Sequence, residues 1–185
     1  MQNLTDAEKH IFLITVLPLA KGEESLSGIQ PIITLSQSAH ESNFGVSRLT
    51  ERANNLFGMT AGSWIQERKP TYQISSWEHS DYPPEKIKYW NRPGDILNKV
   101  INTSGGCDVL VNLDFRMYPN WGASIRDWAI KISNDSRYYK CYEAAKLGDI
   151  TSYASLIQQA GYGTDKNYCA SLLEVAKEVK EFLGV

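Results

Sequence analysis

Cysteine is scarce in this 185-residue chain: Cys107, Cys141 and Cys169 are an odd number and have no metal-ligand spacing. One disulfide with a free thiol and three separate thiols both satisfy that count. Histidine is as sparse, with His10, His40 and His79. No His/Cys/carboxylate trio has zinc spacing, so neither a metal site nor any other cofactor is expected. Ser42 has no His and Asp context for nucleophilic chemistry. Long hydrophobic runs are missing too. The most apolar stretch, "IFLITVLPLA" at 11–20, is far short of the roughly 20 residues that span a bilayer, so no membrane insertion is expected. Asp6 and Glu8 precede it where a signal peptide carries positive charge, and no small-residue cleavage site follows, so no conventional signal peptide is read there. Basic charge is not in excess. A net charge of −2 argues against a phosphate-binding face, and hence against a nucleic-acid partner.

What is present fits one domain with its own core: 42% hydrophobic and 22% charged residues, without repeats, low-complexity tracts or linkers. Five Trp and ten Tyr suit a carbohydrate site as well as a core. "LTDAEKH" offers a capping box, Thr5 with Glu8, that opens a first helix over 6–21. "PIITLSQSAHE" at 31–41 starts with Pro31 at an N1 position and repeats Ile32, Leu35 and Ala39 at helical spacing. "ESNFG" then stops it, with Gly45 as the residue free to take positive φ. Residues 60–115 lose the helical period; "TYQISSW" and "VLVNLDF" read as β-formers, and prolines at 83, 84 and 93 interrupt any continuous element. Helix returns with "GASIRDWAIKIS" at 122–133, whose stripe is Ile125, Trp128, Ala129 and Ile132. "DSRYYKCYEAAKL" follows, ending at Gly148. Asp149 caps "ITSYASLIQQA", which stops at Gly161, and a last helix covers about 166–182. The order predicts an α+β, mainly helical fold.

Glu41 is the odd residue. Acidic side chains favour the first turn of a helix and are unfavourable in the last, yet Glu41 closes an apolar-patterned helix, sharing a face with Gln37. His40 is next to it in sequence but points off at another helical angle, and reads as a core or surface histidine.

"LSQSAHESNFGVSRLTERANNLFGMTAGSW" resembles the signature of glycoside hydrolase family 73, the bacterial endo-β-N-acetylglucosaminidases of the lysozyme-like superfamily. That signature runs A-Q-x-x-L-E-(S/T)-G-(W/Y)-G, a short spacer, then N-L-F-G. Gln37, Glu41, Ser42, Gly45, Asn55, Leu56, Phe57 and Gly58 match it, while Asn43 and Phe44 depart from it. "FRMYPNWGASIRDWA" resembles the family's F-R-x-Y segment. "AGYGTDKNYCASLL" resembles A-G-Y-A-T-D-P-x-Y-A, with Gly163 for alanine and Lys166 for proline. The resemblance runs over about 8–182 and is weakest at 79–112. It implies one glucosaminidase domain over 1–185, with a lysozyme-like α-lobe at about 1–59 and 116–185. A small irregular β-lobe with a long insertion would occupy about 60–115.

The implied chemistry is hydrolysis of the β-1,4 bond between N-acetylglucosamine and N-acetylmuramic acid in peptidoglycan. It needs a proton for the leaving oxygen and stabilisation of an oxocarbenium-like transition state. Glu41 is the expected general acid, its pKa raised by the helix end and by an apolar neighbour such as Phe44. Glu78, in "QISSWEHS", best fits the family's second carboxylate. It would activate water, or support the substrate's acetamido group as internal nucleophile. Glu67, Asp81, Glu85 and Asp95 compete with it but read as solvated loop charges. Tyr162 corresponds to a tyrosine that positions the acetamido group or water. Phe57, Trp64, Phe115 and Tyr118 are candidate sugar platforms, and Asn54, Asn55 and Arg116 candidate hydrogen-bonding partners of acetamido or lactyl groups. A muramidase or lytic transglycosylase, and a non-catalytic peptidoglycan-binding domain, remain the alternatives. In context the chain resembles a phage-type lysin or, with its acidic balance, a type VI secretion glucosaminidase effector. Such an effector is an antibacterial toxin, exported without a conventional signal peptide and acting in a target cell's periplasm. That version implies a cognate immunity protein occluding the cleft.

Overall fold

The computed structural model describes residues 4–89, 93–101, 106–163 and 165–185, without the side chain of Ile101. Parts of the long excursion expected at about 80–110, and Thr164 of the "GYGTD" segment, lie outside the described residues. The chain divides into two compact units, Met1–Met59 with Tyr118–Val185, and Thr60–Met117.

The first unit is helical. Helix α1, Asp6–Ser27, opens on the anticipated capping box: Thr5 Oγ1 accepts the Glu8 N–H and the Glu8 carboxylate accepts the Thr5 N–H at 2.8 Å. It runs six residues past the expected stop. Gly22 has nothing within 4 Å of a built Cβ and does not break the helix; Gly28, at φ +77°, does, with its N–H on the Glu24 carbonyl at 2.8 Å. Phe12, Leu13, Val16 and Ala20 bury one side of α1, so the apolar run at 11–20 is a core stripe. Among the described residues no helix is long and apolar enough to cross a membrane. Helix α2, Pro31–Ser42, packs against α1 and against the later helices α6, Ile150–Gln159, and α7, Tyr168–Leu183. Every residue from Ile33 to Ala39 is buried. That is why α2 carries serine, threonine and glutamine among its apolar positions without a solvent face to hold them.

A short helix, α3 (Arg48–Ala53), falls in a stretch with no helical reading; Ser47 caps it through Thr50 N–H. Helix α4, Trp121–Asn134, buries the predicted stripe of Ile125, Trp128, Ala129 and Ile132. Helix α5, Tyr139–Leu147, stops at Gly148 (φ +69°), and Asp149 caps α6 through Ser152 N–H at 3.0 Å, both as expected. Cys107 and Cys141 are buried and Cys169 is half-buried, all three as thiols.

The second unit is more regular than its sequence suggests. Strands β1 (Thr71–Ser80), β2 (Ile96–Ile101) and β3 (Cys107–Arg116) form one antiparallel sheet in the order β1-β3-β2. β1 and β3 pair along their whole length, Thr71 opposite Arg116 through Ser80 opposite Cys107. The prolines fall in the connections and leave the strands intact. Alternate residues of β3 (Cys107, Val109, Val111 and Leu113) gather with Ile87 into a small apolar cluster on one face. Where β3 begins, a Cβ on Gly106 would lie 2.2 Å from the Ser80 carbonyl oxygen, so that approach admits only glycine.

Candidate active site

Glu41 sits in the last turn of α2, and the chain beyond it is unusual. Asn43, Phe44 and Gly45 take φ of +48°, +51° and +85° in succession. The helix therefore caps at Asn43, two residues before the glycine expected to do so, with the Asn43 N–H on the Ala39 and His40 carbonyls. Asparagine tolerates that conformation; a bulky phenylalanine does not. Phe44 is held there by burial and by an edge contact with Phe12, centroids 5.9 Å apart. Gly45 has no alternative, since a Cβ would meet the Phe12 ring at 2.8 Å. Ser42 is structural: its hydroxyl donates to the Ser38 carbonyl at 2.6 Å and accepts the Gly45 N–H at 2.8 Å.

The Glu41 side chain is half-buried, with its carboxyl against Tyr168 of α7. Tyr168 donates its hydroxyl to Glu41 Oε1 at 2.5 Å. Gln37, one turn before Glu41, donates its amide to the Tyr168 oxygen at 3.2 Å and accepts the Tyr153 hydroxyl proton on Oε1. Burial pushes the Glu41 carboxyl from 4.5 up to about 7, while hydrogen bonds from Tyr168 and then Gln37 pull in the other direction. Burial is thus the chief cause of the raised pKa. A carboxyl that titrates near neutrality, fixed by a tyrosine, is equipped to deliver a proton. Tyr168 stays protonated, because burial and the adjacent carboxylate push its phenol well above the usual range. His40 meets the Tyr168 ring edge-on at 5.0 Å and is held neutral by burial, so it packs, as its helical angle implies.

The resemblance placed Tyr162 beside the chemistry. It lies between α6 and α7, half-buried, with its hydroxyl donated to the Phe57 carbonyl at 3.0 Å and its ring tilted against Tyr138 and Tyr168. Burial and the Glu41 charge raise its phenol well above 10. The oxygen keeps a lone pair for a further donor.

Several candidate sugar contacts have other duties. Phe57 is 1% exposed and stacks on Trp128 at 4.6 Å with the rings 5° apart, so it is core and no platform. Asn55, also 1% exposed, spends its amide on the Met59 carbonyl and accepts the Met59 N–H, which closes the N-L-F-G turn. Tyr118 is 4% exposed and donates to Asp127 Oδ2 at 2.6 Å. Asn54, half-exposed at φ +51°, donates its amide to the Tyr118 carbonyl at 2.9 Å. Together Asn54, Asn55 and Tyr118 brace the loop on which the motif stands.

In the second unit, Arg116 and Lys69 place their charges over the Trp64 ring, at 5.3 and 5.1 Å, and Arg116 Nε donates to the Thr60 carbonyl. Phe115 bridges Thr60 and packs on the apolar sheet cluster. Glu78 lies on β1 opposite Val109, half-buried on the sheet's apolar face. Among the described residues no hydrogen bond or ion pair engages its carboxylate. Of its competitors, Glu67 pairs with Lys69 and Asp81 with His79. Asp95 is no solvated loop charge: it is 3% exposed and its carbonyl takes the Asn112 N–H where β2 begins. Gln37, Tyr153 and Tyr168 had no assigned role from sequence, although Gln37 and Tyr168 fall on positions of the family motifs and Gln37 shares a helix face with Glu41.

A family profile described as mannosyl-glycoprotein endo-beta-N-acetylglucosaminidase matches residues 17–181. A curated relative, the peptidoglycan hydrolase FlgJ of Vibrio parahaemolyticus, is 26% identical over 173 residues, covering 91% of this chain and 47% of its own length. The chain thus spans less than half of that relative. Among solved structures, the catalytic domain of the autolysin Auto from Listeria monocytogenes superposes with TM-score 0.67 at 21% identity, over 98% of this chain and 90% of that one. A chain from a type VI secretion effector–immunity complex of Pseudomonas protegens superposes with TM-score 0.53 at 13% identity, covering 96% and 95%. At these identities the two structures establish a shared fold.

Proposed function

We propose a peptidoglycan glycosidase, starting from the premise that this chain belongs to the mannosyl-glycoprotein endo-beta-N-acetylglucosaminidase family, whose profile spans residues 17–181. The bond is the β-1,4 linkage on the reducing side of N-acetylglucosamine, facing N-acetylmuramic acid. The observation that carries the reading is the Glu41 carboxyl, half-buried, held by Tyr168 and raised by desolvation to about 7. It protonates the glycosidic oxygen as the bond to the sugar lengthens, and the positive charge that develops at the anomeric carbon is met by a second group. Glu78 is the proposed second carboxylate, taking a proton from the attacking water or supporting the acetamido group as internal nucleophile. Its half-buried place on β1, with no hydrogen bond or ion pair among the described residues, supports that assignment. Tyr162, with a lone pair free beyond its bond to Phe57, is proposed to orient the acetamido group or the water. Peptidoglycan as substrate, and the periplasm or wall as the place of action, draw support from the curated relative named as a peptidoglycan hydrolase.

Digestion of purified peptidoglycan, followed by borohydride reduction and mass spectrometry, tests the bond chosen. Products ending in reduced N-acetylglucosamine are expected. Reduced N-acetylmuramic acid would mean a muramidase, anhydro ends a transglycosylase, and no products from folded protein a glycan-binding domain.

The fold likeness to a type VI effector–immunity complex favours a second, narrower reading: an antibacterial toxin neutralised by an immunity protein that covers its site. Co-expression with the product of the adjacent gene tests it. Stable co-purification with loss of hydrolysis is the expected result, and a neighbour without effect on activity overturns it.

A further inference from the structure

Gln37, Tyr153 and Tyr168 come from three different helices, all buried, and each spends its polar atoms on the next. The direction of each bond follows from the one before it. Tyr153 has a single O–H and donates it to Gln37 Oε1. That contact fixes which way the Gln37 amide faces, so its Nε2 points at the Tyr168 oxygen. An amide NH₂ can only donate, so the Tyr168 oxygen must accept there. Its own proton is then left for Glu41 Oε1, where the structure places it. The three donors Tyr153, Gln37 and Tyr168 therefore run one way, the last of them onto Glu41 Oε1, and Gln37 also acts on the carboxyl directly.

We propose that Gln37, Tyr153 and Tyr168 are positioning residues: a one-way hydrogen-bond chain that commits Glu41 Oε1 to accepting and so keeps the acid proton on Oε2. The proposal rests on the reading of Glu41 as the acid. It adds what that reading lacks, a reason for the proton to sit on one defined oxygen. The titratable groups that face Glu41 are Tyr168 of α7, Tyr153 of α6 and Tyr162 from the segment between them, each kept protonated by burial. From its own helix His40, neutral through burial with Asp165 opposing, lies against the Tyr168 ring. The chain also sets the carboxyl's acidity. A donor aimed at Oε1 favours the carboxylate and moderates what burial does. Without it, Glu41 would hold its proton too tightly and on either oxygen.

The test is an NMR titration of the Glu41 carboxyl carbon in the wild type, Tyr168→Phe and Tyr153→Phe, the resonance being assigned by its loss in Glu41→Gln. A kcat–pH profile of each variant accompanies it. Tyr168→Phe should raise the Glu41 pKa by about one unit, as expected for a lost hydrogen bond to a charged acceptor. Tyr153→Phe should raise it too, although the Tyr153 hydroxyl is spent on Gln37. The released amide can turn its oxygen toward Tyr168 and take that proton away from Glu41. The basic limb of kcat should move with both titrations while KM stays unchanged. Below pH 6, Tyr168→Phe should lose about three- to tenfold in kcat through misplacement of the proton. A Glu41 titration unchanged in both variants overturns the proposal. A shift in Tyr168→Phe with none in Tyr153→Phe overturns it as well, because it reduces the chain to one local bond. Backbone amide spectra matching the wild type certify that each variant is folded. Full activity in Glu41→Gln would remove Glu41 from the chemistry while leaving the titrations free to report on the chain, so the two failures are distinct.

Discussion

Replacing Glu41 with glutamine should stabilise the protein at pH 8 and leave it close to the wild type at pH 4.5. The sign comes from proton linkage. The folded carboxyl titrates near 7 and the free side chain near 4.5, so between those values the folded state binds more protons than the unfolded one. Stability therefore falls as pH rises through that window: the favourable contribution is complete below about 4.5 and gone above about 7. A gap of roughly two and a half units corresponds to about 3 kcal/mol at about 1.4 kcal/mol per unit. Glutamine keeps an oxygen for the Tyr168 hydroxyl and removes the charge that burial disfavours. For a chain of this size about 3 kcal/mol moves the melting temperature by roughly 6–12 °C. The assay is thermal unfolding of both proteins at pH 4.5 and pH 8. Comparing the two differences cancels every other titrating group. Equal differences at the two pH values would refute the reasoning, because they would mean that Glu41 ionises in the fold as easily as outside it.

Other expectations follow from single contacts. Phe57→Ala should cost about 3–5 kcal/mol in chemical denaturation, the range for removing a buried aromatic ring, here one stacked on Trp128. An undiminished stability with a raised KM would return Phe57 to the sugar platform. A Cβ added at Gly163 would lie 2.6 Å from Tyr168 Cδ2, so Gly163→Ala should displace that ring. Its kcat–pH profile should show a lower plateau and a basic limb moved upward; a wild-type profile would mean that the ring yields without cost. Glu78→Gln should lower kcat by about 10²–10⁴ if the carboxylate takes a proton in the reaction. Unchanged kcat would hand that role to the acetamido group or to another acid.

Most of the helical frame was legible because its signals are local. The capping box at Thr5 and Glu8, the stripe of α4, Gly148 and Asp149 all did in the fold what their chemistry dictates. Misreadings arose where tertiary packing overrode a local rule. The first helix was expected over 6–21, and Gly28 is what ends it. Asn43 took the cap expected of Gly45 because Phe44 is pinned on Phe12. The strands β1 and β3 were visible as β-formers, but their full-length pairing was not, since register is a property of two distant segments. Glu41 stood out by defying the helix dipole. Its partners did not: Tyr153 looks, in sequence, like any tyrosine on an apolar helix face, and Tyr168, though it falls in the "AGYGTDKNY" motif, follows Glu41 by more than a hundred residues with nothing local to pair them. Burial likewise hides from sequence, which is why Phe57, Asn55 and Tyr118 resembled surface contacts and are instead supports.

The most direct test of Glu41 as the acid is kcat on purified peptidoglycan from pH 5 to 9, measured for the wild type and for Glu41→Gln. The wild type should lose activity above about pH 7, where the Glu41 carboxyl gives up its proton. The glutamine protein, folded and more heat-stable at pH 8, should fall at least about a hundredfold at every pH. Hydrolysis by Glu41→Gln at the wild-type rate, or a wild-type profile that stays level to pH 9, would contradict it.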